Sequence, residues 1–551
     1  MKKYLLTLLI FSGGLCSLQA ATTTLIGESY TSGTTTGTVN WSDPIWAVDA
    51  SSPSGATAAP PVNDATNLYS VKIDHTDASA ANLTLNTPGT ATTLSRLNIA
   101  QGASGNFTLK LGANLTILNS TFTISGYTTP TNSFTNTSTT ASQLVIDLNG
   151  HTFDGNLGSF TNTLKPSFTL MTSSGTASVF KTNAFGTLSA STPSVTVGNN
   201  VTVMVTSQGA NFTSSSFSSG STIDLEGGSG ATIGNLNSTV LNYGNLIIGT
   251  TTATTAALSG LNGQGRTVQF AGNILIGANS TVGLGNSTTG ITGLKVQGNY
   301  TDNNTTNASY QSAAASSQST TTSLNGGYTP ATPALNERTL SVAHSLLASS
   351  GGTVNGLVTN FQVGDGTLAG NAKLVVNASA ASSVGALNTL GSLKVFGDSR
   401  LNLGSNLAAN AGNPTVTAAS INIVTGATIA TILSTTSSGA TLLNGYASTS
   451  GVLTLNTFNL QLDYDGTTWI NGSNLVLFNY GTHAAGLTPT ITSIASGYTI
   501  TWGSLTDDTT NHQIVLSGVN IAAIPEPSAA LLIVAFGGLV AWTIRRKSRQ
   551  A

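Results

Sequence analysis

The chain predicts an all-β protein: an elongated right-handed parallel β-helix or solenoid, with an N-terminal signal peptide and one C-terminal transmembrane helix. Three observations lead there. Apolar residues come in short alternating runs, the period of strands rather than helices. The runs are separated by turns holding Gly with Asn or Asp, residues that tolerate the backbone of tight turns. Charged residues are only 7% of the 551, while hydrophobic residues are 39% and glycines number 61. An average soluble domain carries about 25% charge. Enough Val, Ile and Leu remain for a packed interior, so the low charge does not signal disorder.

Residues 1–20 read as a secretory signal peptide. Lys2 and Lys3 form a positive start, Tyr4 to Phe11 an apolar core, and Leu18-Gln19-Ala20 offers cleavage by signal peptidase after Ala20. The apolar run is too short for a retained span, which needs about 20 residues. Cys16 is the one cysteine and lies inside this leader. Leu15 before it is larger than the small residue a lipoprotein signal places there, so lipidation is not expected. Without the leader the chain has no thiol for a disulfide, a metal or a nucleophile.

Residues 21–300 form the first solenoid-like region. Its head holds Trp41, Trp46 and a Pro/Ser/Ala-rich loop. Then a strand–turn–strand unit recurs, as in Phe107 to Ile117 (FTLKLGANLTI), Leu144 to Phe153 (LVIDLNGHTF), Val195 to Val205 (VTVGNNVTVMV) and Asn273 to Gly285 (NILIGANSTVGLG). Alternation puts apolar side chains on one face and Thr, Asn and Ser on the other. Sandwich, barrel and solenoid all use such units. The solenoid suits this chain best, because each coil packs on its neighbour and stacked Asn and Thr pair along the coils. No fixed period is evident. The pattern resembles the passenger-type β-strand repeats of autotransporter-like surface proteins. Residues 301–334 are low in apolar content and read as a linker or loop. Residues 335–523 form a second β-rich region, including Leu393 to Gly404 (LKVFGDSRLNLG) and Leu460 to Tyr480. Ala334 to Ser350 has helix-like spacing at Leu335, Val342, Leu346 and Leu347, and fits a strand equally well.

Residues 524–551 have their own order. Pro525-Glu526-Pro527 comes first, then the apolar run Ser528 to Ile544, then Arg545, Arg546, Lys547 and Arg549. A basic segment after an apolar span holds that side in the cytoplasm. This layout resembles the PEP-CTERM sorting signal of Gram-negative, exopolysaccharide-producing bacteria. The resemblance implies recognition by an exosortase-type membrane transpeptidase and cleavage near Pro525-Glu526-Pro527. It further implies passage from an inner-membrane intermediate to the outer surface or extracellular matrix.

Catalytic constellations are missing from the sequence. His75, His151, His344, His483 and His512 are scattered, and no G-x-S-x-G or H-E-x-x-H motif is present. Asp463 and Asp465 would share a strand face, as a calcium or acid–base pair, yet lack a third ligand. Asp147, Asp154, Asp224 and Glu226, with Lys165 and Lys181, pose the enzyme alternative: the groove of a β-helix polysaccharide lyase or hydrolase. Trp41, Trp46, Trp469 and Trp502 could stack on sugars, but fit hydrophobic caps better. Asn-x-Ser/Thr sequons such as Asn82, Asn106, Asn114, Asn211 and Asn279 follow from a composition rich in these residues. Six of the 17 basic residues lie at the two ends, which leaves no basic face for nucleic acid. The expectation is a non-catalytic, structural or adhesive surface protein without a cofactor, with exopolysaccharide or other glycans as partners. A carbohydrate-binding protein is the alternative.

Overall fold

The computed structural model describes the strands and corners between 24 and 524, and residues 537–543, 545–546 and 548–549. Outside the described residues lie 1–23, 525–536 and many connecting stretches. The longest are 49–59, 119–133, 304–320, 325–337, 379–389 and 403–415.

Parallel pairing dominates. One long sheet runs from Asn67–His75 through Thr92–Gln101, Leu115–Ile117, Thr152–Asp154, Ser178–Thr182, Val201–Val205, Thr222–Leu225, Asn245–Ile248, Ile274–Ile276 and Tyr300–Asp302. It continues through Arg338–Val342, Lys373–Ala378, Arg400–Asn402, Thr428–Leu433 and Asn459–Tyr464 to Thr490–Ser493. Beside it stands a companion sheet: Gly37–Asn40, Leu83–Asn86, Phe107–Lys110, Leu144–Asp147, Phe168–Met171, Val195–Val197 and Ser215–Phe217. Further along, the same position is taken by Val240–Tyr243, Thr267–Phe270, Gly293–Val296, Thr321–Leu324, Asn360–Val363, Leu390–Val395, Val416–Ile423 and Val452–Leu455. A short third ribbon joins Ser229–Thr232, Thr255–Ala257 and Thr281–Gly283.

The strand–turn–strand units of the sequence are therefore corners, not hairpins. Phe107–Lys110 and Leu115–Ile117 flank one corner and pair with different sheets. Neighbouring coils are bridged by hydrogen bonds whose partners lie 21 residues apart at Asn199–Gly220, 38 at Asn114–Thr152 and 33 at Ile423–Asn456. The coil length varies, which is why no fixed period shows in the sequence.

Inward positions form aliphatic and aromatic rows. Leu85, Leu109, Ile146, Leu170, Val197 and Phe217 stack in one, and all are buried. Phe153, Phe180, Val203, Ile223, Leu246 and Ile274 stack in another. Within these rows Phe153 lies on Phe180 at 5.1 Å. Tyr243 lies between Phe217 at 5.3 Å and Phe270 at 5.5 Å. Each fully buried side chain of this size contributes about 1.5–3 kcal/mol, and the row repeats it coil after coil.

Residues 301–334, expected as a linker or loop, include Thr321–Leu324, which pairs on both sides. Both sheets cross that boundary without a break. The stretch with helix-like spacing holds the strand Arg338–Val342. In the C-terminal part the pairing turns antiparallel: Gln513–Ala523 pairs with Ser473–Asn479, Leu505–Asp508 and Tyr498–Thr501. Residues 537–543 are helical and exposed. Among the described residues no helix is long and apolar enough to cross a membrane.

Candidate functional site

The acidic residues are separated by the corners. Asp154 pairs with Lys181 of the next coil at 2.9 Å. Asp147 is buried, accepts from the backbone N–H of Asn149 at 3.1 Å and of Ser173 at 2.9 Å, and lies 3.9 Å from Lys110. Both are staples between coils. Lys165 lies outside the described residues, as does Asp465, so the Asp463–Asp465 pair has no described geometry. Asp463 accepts from its neighbour's N–H.

Asp224 and Glu226 do come together. Leu225 between them is buried in the core, so both carboxyls stand on the outer side, Asp224 within the strand Thr222–Leu225 and Glu226 just past its end. Yet only 7% of Asp224 and 4% of Glu226 is exposed. Five donor groups of the next coil enclose Glu226: the N–H and hydroxyl of Thr250, those of Thr251, and the N–H of Thr252. Burial opposes ionisation of Glu226, but these donors outweigh it and hold its pKa below the usual carboxylate range. Asp224 lacks such donors, and its Oδ1 has no hydrogen-bond partner. Burial, then the charge of Glu226, then the hydrogen bond to Glu226 push its pKa up to about 7. The flanking residues in its row are Met204 and Ile247. The result is a carboxyl whose ionisation is resisted beside one whose ionisation is favoured, both almost wholly buried.

The outer face of the companion sheet is more regular. Thr38, Thr84, Thr108, Val145, Thr169, Thr196 and Ser216 occupy successive strands in register. Thr38 and Ser216 are exposed, and Thr84, Thr108, Thr169 and Thr196 half-buried, as expected in mid-sheet. The hydroxyls recur at the strand spacing, about 4.8 Å, except at buried Val145, which interrupts the row between Thr108 and Thr169. Beside them runs a second row, in which Asn86 donates to Asn40 at 3.1 Å and Lys110 and Asp147 offset each other's charge. The face is neutral and rich in hydrogen-bonding groups. Sequence reading missed it as a site. Its signal is present as an apolar–Thr–apolar triplet in LTL, FTL, FTL and VTV, each placed mid-strand.

Trp41 and Trp46 are each 1% exposed. Trp41 donates to the Pro61 carbonyl at 2.6 Å and Trp46 to the Trp41 carbonyl at 2.7 Å. They pack at 4.6 Å and seal the core near its N-terminal end; a ring so buried cannot stack on a ligand. Trp469 donates to the Val519 carbonyl, and Trp502 packs partly against the core. The histidines do not assemble a metal site: among the described residues no group of three His, Cys, Asp or Glu could hold one. His483 and His512 each pack against the Tyr480 ring, at 5.1 and 5.6 Å. The Tyr480 hydroxyl donates to Asp507; burial and then that carboxylate raise its pKa. His344, Ala20, Pro525, Glu526, Pro527 and Lys547 lie outside the described residues. Arg545, Arg546 and Arg549 are described and exposed, with Arg546 over the Trp542 ring at 5.2 Å.

Fold and faces together define an all-β protein of stacked parallel strands with a neutral hydroxyl face. Comparison of the chain with protein-family models, with curated proteins and with solved structures found no match.

Proposed function

We propose that the chain is a non-catalytic surface or extracellular-matrix protein, structural or adhesive, whose stacked coils display a long uncharged face. The observation that carries this reading is the row of hydroxyls on the companion sheet, Thr38, Thr84 and Thr108, then Thr169, Thr196 and Ser216, with Val145 between the two runs. It gives many weak, equivalent contacts along one line, the requirement for adhering to a repetitive partner. Asp147, Asp154 and Glu226 support the same reading, because each is occupied in holding neighbouring coils together. A right-handed coil is part of the proposal, since strand–crossover–strand units between parallel strands are right-handed in about 98% of cases.

Delivery rests on the sequence of the tail. Export through the leader and sorting through Pro525-Glu526-Pro527 by an exosortase-type transpeptidase would carry the coils from an inner-membrane intermediate to the cell surface or matrix. Intact mass and fractionation of the native protein test this, beside a variant with Pro525→Ala, Glu526→Ala and Pro527→Ala. Release of the native protein without its tail, and membrane retention of the variant, is expected. Retention of both with the tail intact would reduce the segment to a plain anchor.

The hydroxyl column also favours the carbohydrate-binding alternative. Neutral glycans offer hydroxyls at regular intervals and no charge, matching the face. Thr84→Val, Thr108→Val and Thr196→Val together keep shape and remove hydroxyls. In co-sedimentation with insoluble neutral polysaccharide, the triple variant is expected to lose about tenfold in affinity, or ~1.4 kcal/mol. Equal retention of both proteins would leave the structural role alone.

A further inference from the structure

From the described C-terminal end of the coil stack we infer a membrane-resting face that holds the last coil against the bilayer before the tail is processed. The inference rests on reading the tail as membrane-inserted.

The observation is where apolar surface is exposed. Ahead of the tail, the most exposed large apolar side chains among the described residues are Ile470 at 59% and Ile524 at 51%, followed by Ile494 and Val452, both at 43%. The three isoleucines surround the point where the chain leaves the last strand. Ile524 donates its N–H to the Gly497 carbonyl at 2.8 Å, three residues past Ile494. Asn471, next to Ile470, accepts from the Ile521 N–H at 2.7 Å and donates to the Ile521 carbonyl at 3.3 Å. Half-buried Trp469, Trp502 and Tyr498 belong to the same group of strands. Aromatic residues beside exposed aliphatic ones are the composition that sits at a membrane–water boundary.

Charge is sparse around this point, with one carboxylate close by: Asp463 follows Leu462, whose carbonyl accepts from the Ile494 N–H at 2.9 Å. From residue 401 to 544 the sequence has no Lys or Arg. Asp507 and Asp508 pair with Ile514 and Gln513, at the opposite end of the last strand from Ala523. That strand has 11 residues, so these two carboxylates, unlike Asp463, stand roughly 30 Å from the exit, at about 3.3 Å per residue. An isoleucine trio is too small to bind a bilayer unaided. A tail that enters the bilayer from Ser528, four residues after Ile524, supplies the missing term, because tethering raises the effective concentration of the face at the membrane. The occupant is therefore the lipid surface to which this chain is itself tied.

The test uses the full chain in phosphatidylcholine liposomes, with Cys16→Ser and one new cysteine: Ile470→Cys, Ile494→Cys or Leu118→Cys. Leu118 is 37% exposed and lies in the N-terminal half. Each is labelled with an environment-sensitive fluorophore. Blue-shifted emission at 470 and 494, quenched by lipid-borne quencher, with 118 water-like, is the expected result. If the protein floats with the vesicles and all three positions report water, the docking face is wrong while the tail reading survives. If the protein does not float with the vesicles, the tail reading fails and the docking face falls with it.

Discussion

At the scale of single residues, two buried carboxyls set a pH dependence. Burial pushes Glu28 up to about 7, and burial with Glu226 does the same to Asp224. In the unfolded chain these groups ionise near 4.5 and 3.8. Between those values and 7 the folded state holds protons that the unfolded state has released. The stability they contribute is thus full at the acid end of the window and lost as pH rises through 7. Glu226 acts oppositely, but its loss begins only below its ordinary value of 4.5. Denaturant midpoints are expected to be higher at pH 5 than at pH 8. Asp224→Asn, which keeps the donor to Glu226, should flatten that slope and stabilise the chain at pH 8 by about 1–3 kcal/mol. Equal slopes in both proteins would show that Asp224 is ionised throughout. Both carboxyls were visible in the sequence; that one would be neutral and the other wrapped by Thr250–Thr252 was not, because the loop belongs to the next coil.

At the scale of elements, the corner decides how closely coils stack. Gly272-Asn273 and Gly298-Asn299 repeat the arrangement of Gly244-Asn245. The Asn245 Oδ1 accepts from the Asn273 N–H, and the Asn273 Oδ1 from the Asn299 N–H, both at 2.8 Å. This ladder leaves no space for a side chain at the glycine: a Cβ on Gly272 would stand 2.1 Å from the Asn245 Oδ1. Gly272→Ala should therefore cost about 2–3 kcal/mol, through loss of the ladder bond and overpacking. Gly89→Ala, where a Cβ meets nothing within 4 Å, should stay within about 0.5 kcal/mol. Equilibrium unfolding of the two variants separates them; equal losses would remove the stacking argument. The sequence marks such positions as turns, since Gly and Asn are turn residues. It does not distinguish a hairpin from a corner, because both need the same backbone freedom.

At the scale of the whole molecule, stability propagates from neighbour to neighbour, so the ends matter most. The Trp41–Trp46 pair closes the core near one end. Truncating Trp41 opens that end to water, at about 3–5 kcal/mol. Because coils contact only their neighbours, the damage should remain local. Hydrogen exchange of Trp41→Ala is expected to speed up in Leu83–Asn86 and Phe107–Lys110 and to leave Asn459–Tyr464 protected. Uniform loss of protection would mean that the stack unfolds as one unit. The other end is finished by the antiparallel strand Gln513–Ala523, which blocks continued parallel addition to Ser473–Asn479.

The sequence by itself determined the β class and the alternation that sorts Leu, Ile and Val from Thr and Asn. Each follows from local pattern: period-two hydrophobicity and turn chemistry act over a few residues. Packing across coils set which strands pair, the parallel partners lying 20 residues apart and more. It also aligned the threonines into one column, put Glu226 in the grip of Thr250–Thr252, and carried the sheets through residues 301–334. The physical reason is common to all four. Parallel strands pair with the next coil rather than with their chain neighbours, and coil length varies, so register is set by core packing and ladder hydrogen bonds across coils.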